Sequence, residues 1–254
     1  NYTALDINSY LPFQQRWLSG CIYFEGKRMK LKQLLFVLPL LSCAAQAGYV
    51  DYRHEYYDDG RNYDRVYMSH RFGTGFGVAV EAVSRSDEKQ SNDALNNMES
   101  NSNEYTASYQ FTWQGFIWQP GVAVEMGDDM AIYKPYLRVQ YNINESWWTA
   151  FRYRTEYTRR NADGKDDRLV YRPEMWLGYN IDNWMFELNG IYKFADNEDL
   201  YNNKKEDYEY NFRVAYNIDS WVPFVEVGNV SSGYNTATTD DRQTRLRVGL
   251  GYNF

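Results

Sequence analysis

Four tyrosine–asparagine pairs recur at nearly constant spacing: Tyr141-Asn142, Tyr179-Asn180, Tyr216-Asn217 and Tyr252-Asn253, 38, 37 and 36 residues apart. The first three run through Ile143, Ile181 and Ile218 into a polar stretch and then Trp147, Trp184 or Trp221. Tyr109-Gln110-Phe111 and His70-Arg71-Phe72 hold the same place earlier in the chain. A period of this length belongs to solenoids, propellers or arrays of hairpins. Each unit here reads as roughly ten residues alternating apolar and polar, a short Asn/Asp/Ser/Gly turn, ten more alternating residues and a longer polar loop. That unit is a β-hairpin.

The last strand shows the alternation at its clearest. In "RQTRLRVGLGYNF" (242–254), Phe254, Tyr252, Leu250, Val248 and Leu246 form one face, and Arg247, Arg245 and Gln243 lie on the other. The chain has 25 Tyr and 8 Trp, yet its mean hydropathy is −0.70. It has no apolar run long enough for a transmembrane helix. Many aromatics, low hydropathy and strict alternation together are the pattern of an outer-membrane barrel, with lipid outside and a polar lumen inside. Short turns are expected near Gly73, Gln114, Glu145, Asn183 and Ser220, with both termini on that same, periplasmic side. Longer loops are expected at 87–103, 127–132, 158–167, 195–206 and 231–241. The count gives an all-β, transmembrane, 12-stranded antiparallel β-barrel of the bacterial outer membrane. It must close, because an open strand edge in hydrocarbon leaves backbone groups unpaired. The rival arrangement, a soluble sandwich, would bury the same aromatics in a core.

A leader precedes the barrel. Met29, Lys30 and Lys32, the apolar stretch 34–41 and Ala45-Gln46-Ala47 are the three parts of a secretory signal peptide, placing 29–47 as the signal and cleavage near Ala47. Residues 1–28 read as an upstream, unstructured extension, and 48–254 as the barrel. Both cysteines, Cys21 and Cys43, fall before the cleavage point, so the mature chain offers no disulfide. Removing 1–47 leaves 22 Lys/Arg against 32 Asp/Glu, a net charge of −10. No cofactor, metal or nucleic acid is expected.

With Phe254 taken as lipid-facing, the same register points the basic side chains inward. Arg245 and Arg247 in the last strand, Arg53 in the first, and Arg65 and Arg71 in the second form one wall. Lys134 and Arg138, Arg152 and Arg154, and Arg172 on three successive strands form another, half a circumference away. Arg213 breaks the pattern, as do Asp51, Glu55, Glu156 and Glu174 within the basic walls, while Glu81, Glu125, Glu187 and Glu226 lie between them. A charge on the lipid face costs about 2–4 kcal/mol near the midplane, which the alternation avoids. Two readings of the lumen stand: a pair of facing basic ladders that attract anions despite the acidic whole, or charges that neutralise one another. Arginine suits carboxylates because its planar fork donates two parallel hydrogen bonds.

The segments "VDYRHEY" (50–56), "SHRFGTGFGVAVE" (69–81), "KPYLR" (134–138), "FRYR" (151–154), "PFVEVGNVS" (223–231) and "RQTRLRVGLGYNF" (242–254) resemble the oligogalacturonate-specific porin family, of which the sialic-acid channel of enteric bacteria is a more distant member. The resemblance spans essentially all of 48–254. It implies a monomeric outer-membrane channel for acidic oligosaccharides derived from pectin, with basic tracks that would include Arg53, Arg65, Arg138, Arg152, Arg154, Arg245 and Arg247. The terminal Phe254 also looks like the signal read by the outer-membrane assembly machinery. The loops do not obviously match, and Trp147-Trp148 has no account at this level.

Two other classes compete. A barrel enzyme needs a histidine with an acid or a serine, but the register turns His54 and His70 outward, and Ser69 and His70 point opposite ways. No G-x-S-x-G motif is present. A structural or adhesive barrel would plug its lumen with paired side chains. Among channels, one for another acidic sugar such as sialic acid, or a general anion-preferring porin, is the alternative to oligogalacturonate uptake.

Overall fold

The structure is a computed structural model that describes residues 48–86, 98–127, 130–160, 166–231 and 237–254. The predicted leader and the 1–28 extension lie outside the described residues. Thirteen strand segments follow one another: β1 (Gly48–Tyr57), β2 (Asn62–Arg71), β3 (Phe76–Ser86), β4 (Met98–Tyr109), β5 (Phe111–Trp113), β6 (Phe116–Met126), β7 (Met130–Asn142), β8 (Trp147–Arg160), β9 (Arg168–Ile181), β10 (Trp184–Ala195), β11 (Glu206–Tyr216), β12 (Trp221–Val230) and β13 (Gln243–Asn253). β4 and β5 are one crossing strand interrupted at Gln110, and both pair with β6. Twelve antiparallel strands therefore close on themselves, as the repeat count requires. β1 pairs with β13 at the seam, where Gly48 and Phe254 exchange backbone hydrogen bonds of 2.8 and 3.0 Å.

The tyrosine–asparagine repeat has a structural reason. Two strands plus their turn bring each repeat tyrosine into register with the aromatic residue that follows the preceding turn. Trp147 pairs with Tyr179, Trp184 with Tyr216 and Trp221 with Tyr252, with ring centroids 4.6 to 4.7 Å apart. Phe116 and Tyr141 repeat the contact at 5.1 Å. The residue after the tyrosine then donates its N–H to a carbonyl in that same turn: Asn180 to Ser146, Asn217 to Asn183, Asn253 to Ser220 and, earlier, Gln110 to Gly75. Each hairpin is thus locked to the next at the short-turn end. The same rings form an aromatic girdle, where amphipathic side chains suit a membrane interface.

Outward positions carry the apolar band. Leu188, Met175 and Phe212 on neighbouring strands are exposed, while the intervening Glu174 and Asn211 are buried inside. The turns follow their residues: Gln114 and Gly115 both have positive φ, as a two-residue type I′ hairpin turn demands.

Three loop expectations are shortened. Residues 98–103, expected as loop, belong to β4, 130–132 belong to β7 and 158–160 belong to β8. None of these extensions needs an alternating apolar face. In β4 the pairing with β3 continues through a shift between Val83 and Ser84.

Candidate functional site

The inward side chains enclose a lumen of about 830 Å³, lined from Tyr57 and Tyr63 near the loop end to Arg71 and Trp148 near the short-turn end. Arg53, Arg65, Arg71, Lys134, Arg138, Arg152, Arg154, Arg172, Arg245 and Arg247 all line it. Arg213 is the exception among the predicted basic residues. Its guanidinium lies over the Phe224 ring at 4.0 Å, beside an apolar cluster of Ala215, Val222 and Met185. Eight glutamates share the described lining with those ten cations, and Asp51 and Glu156 pair with lining arginines from the same walls, so the cations are concentrated on the lumen but matched by carboxylates.

The arginines of the two walls are held in networks with carboxylates rather than standing as bare ladders. Around the seam, Arg247 is held between Glu55 and Glu226, and Arg65 between Asp51 (2.9 Å) and Glu81 (2.8 Å). Arg53 approaches Glu55 at 3.7 Å. Arg245 reaches Asn211 at 2.8 Å and stands 3.8 Å from Glu226. On the far wall, Glu174 is 2% exposed and gathers Arg152 (2.7 Å), Arg172 (3.3 Å) and Arg154 (3.7 Å). Glu156 takes Arg154 and Arg172 at 3.0 and 3.1 Å, and Lys134 bridges Glu104 and Glu125.

Register explains why carboxylates are needed there. Arg53 sits directly opposite Arg65, Arg138 opposite Arg152, and Arg154 opposite Arg172. Like charges facing each other across strands repel. Asp51, Glu55, Glu156 and Glu174, which looked like breaks in the basic pattern, are the partners that make the clustering tolerable.

Inward aromatics are the feature that sequence reasoning missed. Tyr136, Trp148 and Trp176 line the lumen with the arginines. Two-residue periodicity alone places them on the lumen face. It separates the Trp147-Trp148 pair: Trp147 joins the outer girdle, and Trp148 turns inward and lies against Gly178, whose missing side chain leaves room for the indole.

The histidines stay on the outward register. His54 does have an acid, since its Nδ1 lies 2.7 Å from Asp64 Oδ1, and the Tyr52 hydroxyl donates to the same carboxylate. The lumen lies on the other side of the wall. Among the described residues no serine, threonine or cysteine is hydrogen-bonded to His54.

A closed barrel with an apolar exterior, an aromatic girdle and a wet, charge-lined interior defines a transmembrane channel of the porin class. Comparison with known proteins gives the family. The family model described as "Oligogalacturonate-specific porin protein (KdgM)" matches residues 41–254. An uncharacterised protein of Salmonella typhimurium, YiiY, is 52% identical over 88% of this chain and 97% of its own. The oligogalacturonate-specific porin KdgM of Dickeya dadantii is 35% identical over 89% of this chain and 100% of its own. The solved KdgM porin superposes with a TM-score of 0.62 at 30% identity, over 81% of this chain and 99% of that one. The chain belongs to the oligogalacturonate-specific porin family, a family of outer-membrane channels rather than enzymes.

Proposed function

We propose that this barrel admits acidic oligosaccharides, oligogalacturonates from pectin foremost, by passive diffusion through its basic lumen. One barrel forms one pore. The observation that carries the reading is the location of the cations. An acidic chain gathers ten Arg and Lys side chains on its lumen, most of them on two facing walls. Guanidinium groups clustered on a confined, low-dielectric wall raise the local concentration of anions beside them. The relationship to a porin that has been solved in complex with a disordered oligogalacturonate supports the choice of sugar. In this reading Arg53, Arg65, Arg71, Lys134, Arg138, Arg152, Arg154, Arg172, Arg245 and Arg247 form the path, and Arg213 supports it from the wall. The 29–47 leader is removed near Ala47, and the strand ending at Phe254 engages the assembly machinery that inserts the barrel into lipid.

Single-channel current in a planar bilayer tests the reading. Galacturonate oligomers are expected to block the pore more often and for longer than malto-oligosaccharides of equal length. Equal block by both sugars would sink it. Stronger block by sialic acid than by the uronate oligomers would move the assignment to that sugar.

A further inference from the structure

One arginine of the lumen differs from its neighbours. Arg138 lies opposite Arg152 on one side and Gln119 on the other, and next along its own strand come Tyr136 and Gln140. Arg152 commits both Nε and Nη2 to Glu174, at 3.0 and 2.7 Å. Arg138 donates from Nη2 to the neutral amide of Gln140 at 2.8 Å, and among the described residues no carboxylate lies within ion-pair distance of it. The far wall therefore holds one cation without an anion, directly beside a second cation. Such a group is costly to desolvate unless an anion meets it.

The ring nearest that charge is Trp176, on β9. The guanidinium carbons of Arg138 and Arg152 lie 5.8 and 5.1 Å from its centroid, and Arg152 is also 5.7 Å from the Tyr136 ring. Both rings line the lumen and neither is fully buried. Tyr136 is held by Gln119, whose Nε2 donates to its hydroxyl at 3.4 Å. Gln140 in turn donates to Asn142 at 3.0 Å, so Arg138 is oriented by a chain of neutral amides.

We propose that Trp176, Tyr136 and Arg138 form a discrete saccharide station in the lumen, where one uronate residue rests its apolar ring face on the aromatics and its carboxylate on Arg138. The proposal builds on the uptake function above and deepens it. It assigns holding to one place, whereas the ion-paired arginines of both walls steer anions without capturing them. Pyranose rings expose C–H groups on one face, which suit an aromatic surface, and the adjacent carboxylate selects the uncommitted arginine over those already paired.

The test compares wild type, Arg138→Gln, Trp176→Leu and Trp176→Tyr in single-channel recordings with trigalacturonate and maltotriose. Unitary conductance without sugar identifies folded, open channels for each variant. Arg138→Gln is expected to shorten the trigalacturonate residence time roughly tenfold or more, the strength of a charge-assisted hydrogen bond, and to leave maltotriose unchanged. Trp176→Leu is expected to shorten both by about threefold, since stacking is blind to charge, and Trp176→Tyr to recover most of the loss. If Trp176→Leu yields no folded channel, Trp176→Tyr and Arg138→Gln carry the comparison. Wild type that prefers the acidic sugar, with Arg138→Gln and the Trp176 variants unchanged in residence time, overturns the station and leaves the uptake function standing. Wild type that does not distinguish the two sugars overturns the uptake function and the carboxylate half of the station together.

Discussion

Glu174 is the residue on which the far wall depends. It is almost wholly buried and stands within 4 Å of three arginines, so its carboxylate offsets their mutual repulsion. Removing one partner of a buried ionic group leaves the others uncompensated, a loss of about 3–5 kcal/mol. Glu174→Gln keeps the volume and removes the charge. It is expected to lower the unfolding midpoint in detergent and to shift the reversal potential in a salt gradient towards anions; an unchanged midpoint would mean that water, not Glu174, screens the cluster. Gly178 is a steric counterpart on the same strand. A methyl group there would run into the Trp148 indole, so Gly178→Ala is expected to cost about 1–3 kcal/mol of stability by overpacking. In a Trp148→Ala background most of that cost should vanish, which a double-mutant cycle measures directly. Of these relations the inward direction of each side chain was legible from two-residue periodicity. The pairings were not. Arg247 and Glu55 are 192 residues apart and meet only because β1 and β13 close the barrel in one particular register.

At the scale of the strand, the division between lipid and lumen makes a sharper demand than propensity does. Leu188 and Asn189 are neighbours on β10 that point to opposite sides, and Leu188 is 54% exposed. Lysine at 188 would face hydrocarbon near mid-strand and is expected to destabilise the barrel by about 2–4 kcal/mol, whereas lysine at 189 would meet a wet lumen at little cost. Folding titrations into lipid vesicles should separate the two variants, and equal effects would reverse the assignment of faces. The strand content was readable because lipid enforces alternation, and the later turns because the tyrosine–asparagine repeat recurs beside them. Strand ends were less readable where alternation stops. "MESNSN" (98–103) has no apolar stripe, yet it is strand, because ladder hydrogen bonds to β3 continue beyond the apolar band. The long loops also brace one another: Asn202 and Asn203, both with positive φ, cap an extension between β10 and β11, and Asn202 donates its N–H to the Thr239 carbonyl at 3.1 Å. Arg160, at the end of β8, reaches Glu198 at 2.6 Å. These links join segments that no local pattern connects.

For the whole molecule, the net charge is negative whereas the basic side chains concentrate on the lumen walls, and the two act over different distances. The acidic exterior repels a uronate oligomer at long range, whereas the lumen attracts it once inside. Screening length separates these effects, being ~10 Å at 0.1 M salt and ~3 Å at 1 M. Most lumen cations are paired with carboxylates within 4 Å, so their outward field is that of short dipoles. Such a field falls away steeply and is weakened further by salt, while a direct arginine–carboxylate contact inside the wall is weakened much less. Steering governs association, and close contact governs dissociation. Raising salt from about 0.1 to 1 M is therefore expected to lower the blocking frequency of trigalacturonate by roughly tenfold and to shorten each block by less than about threefold. Maltotriose should show neither change. A residence time that collapses in parallel with the blocking frequency would mean that the oligomer is held by diffuse attraction alone, with no arginine in contact with its carboxylates.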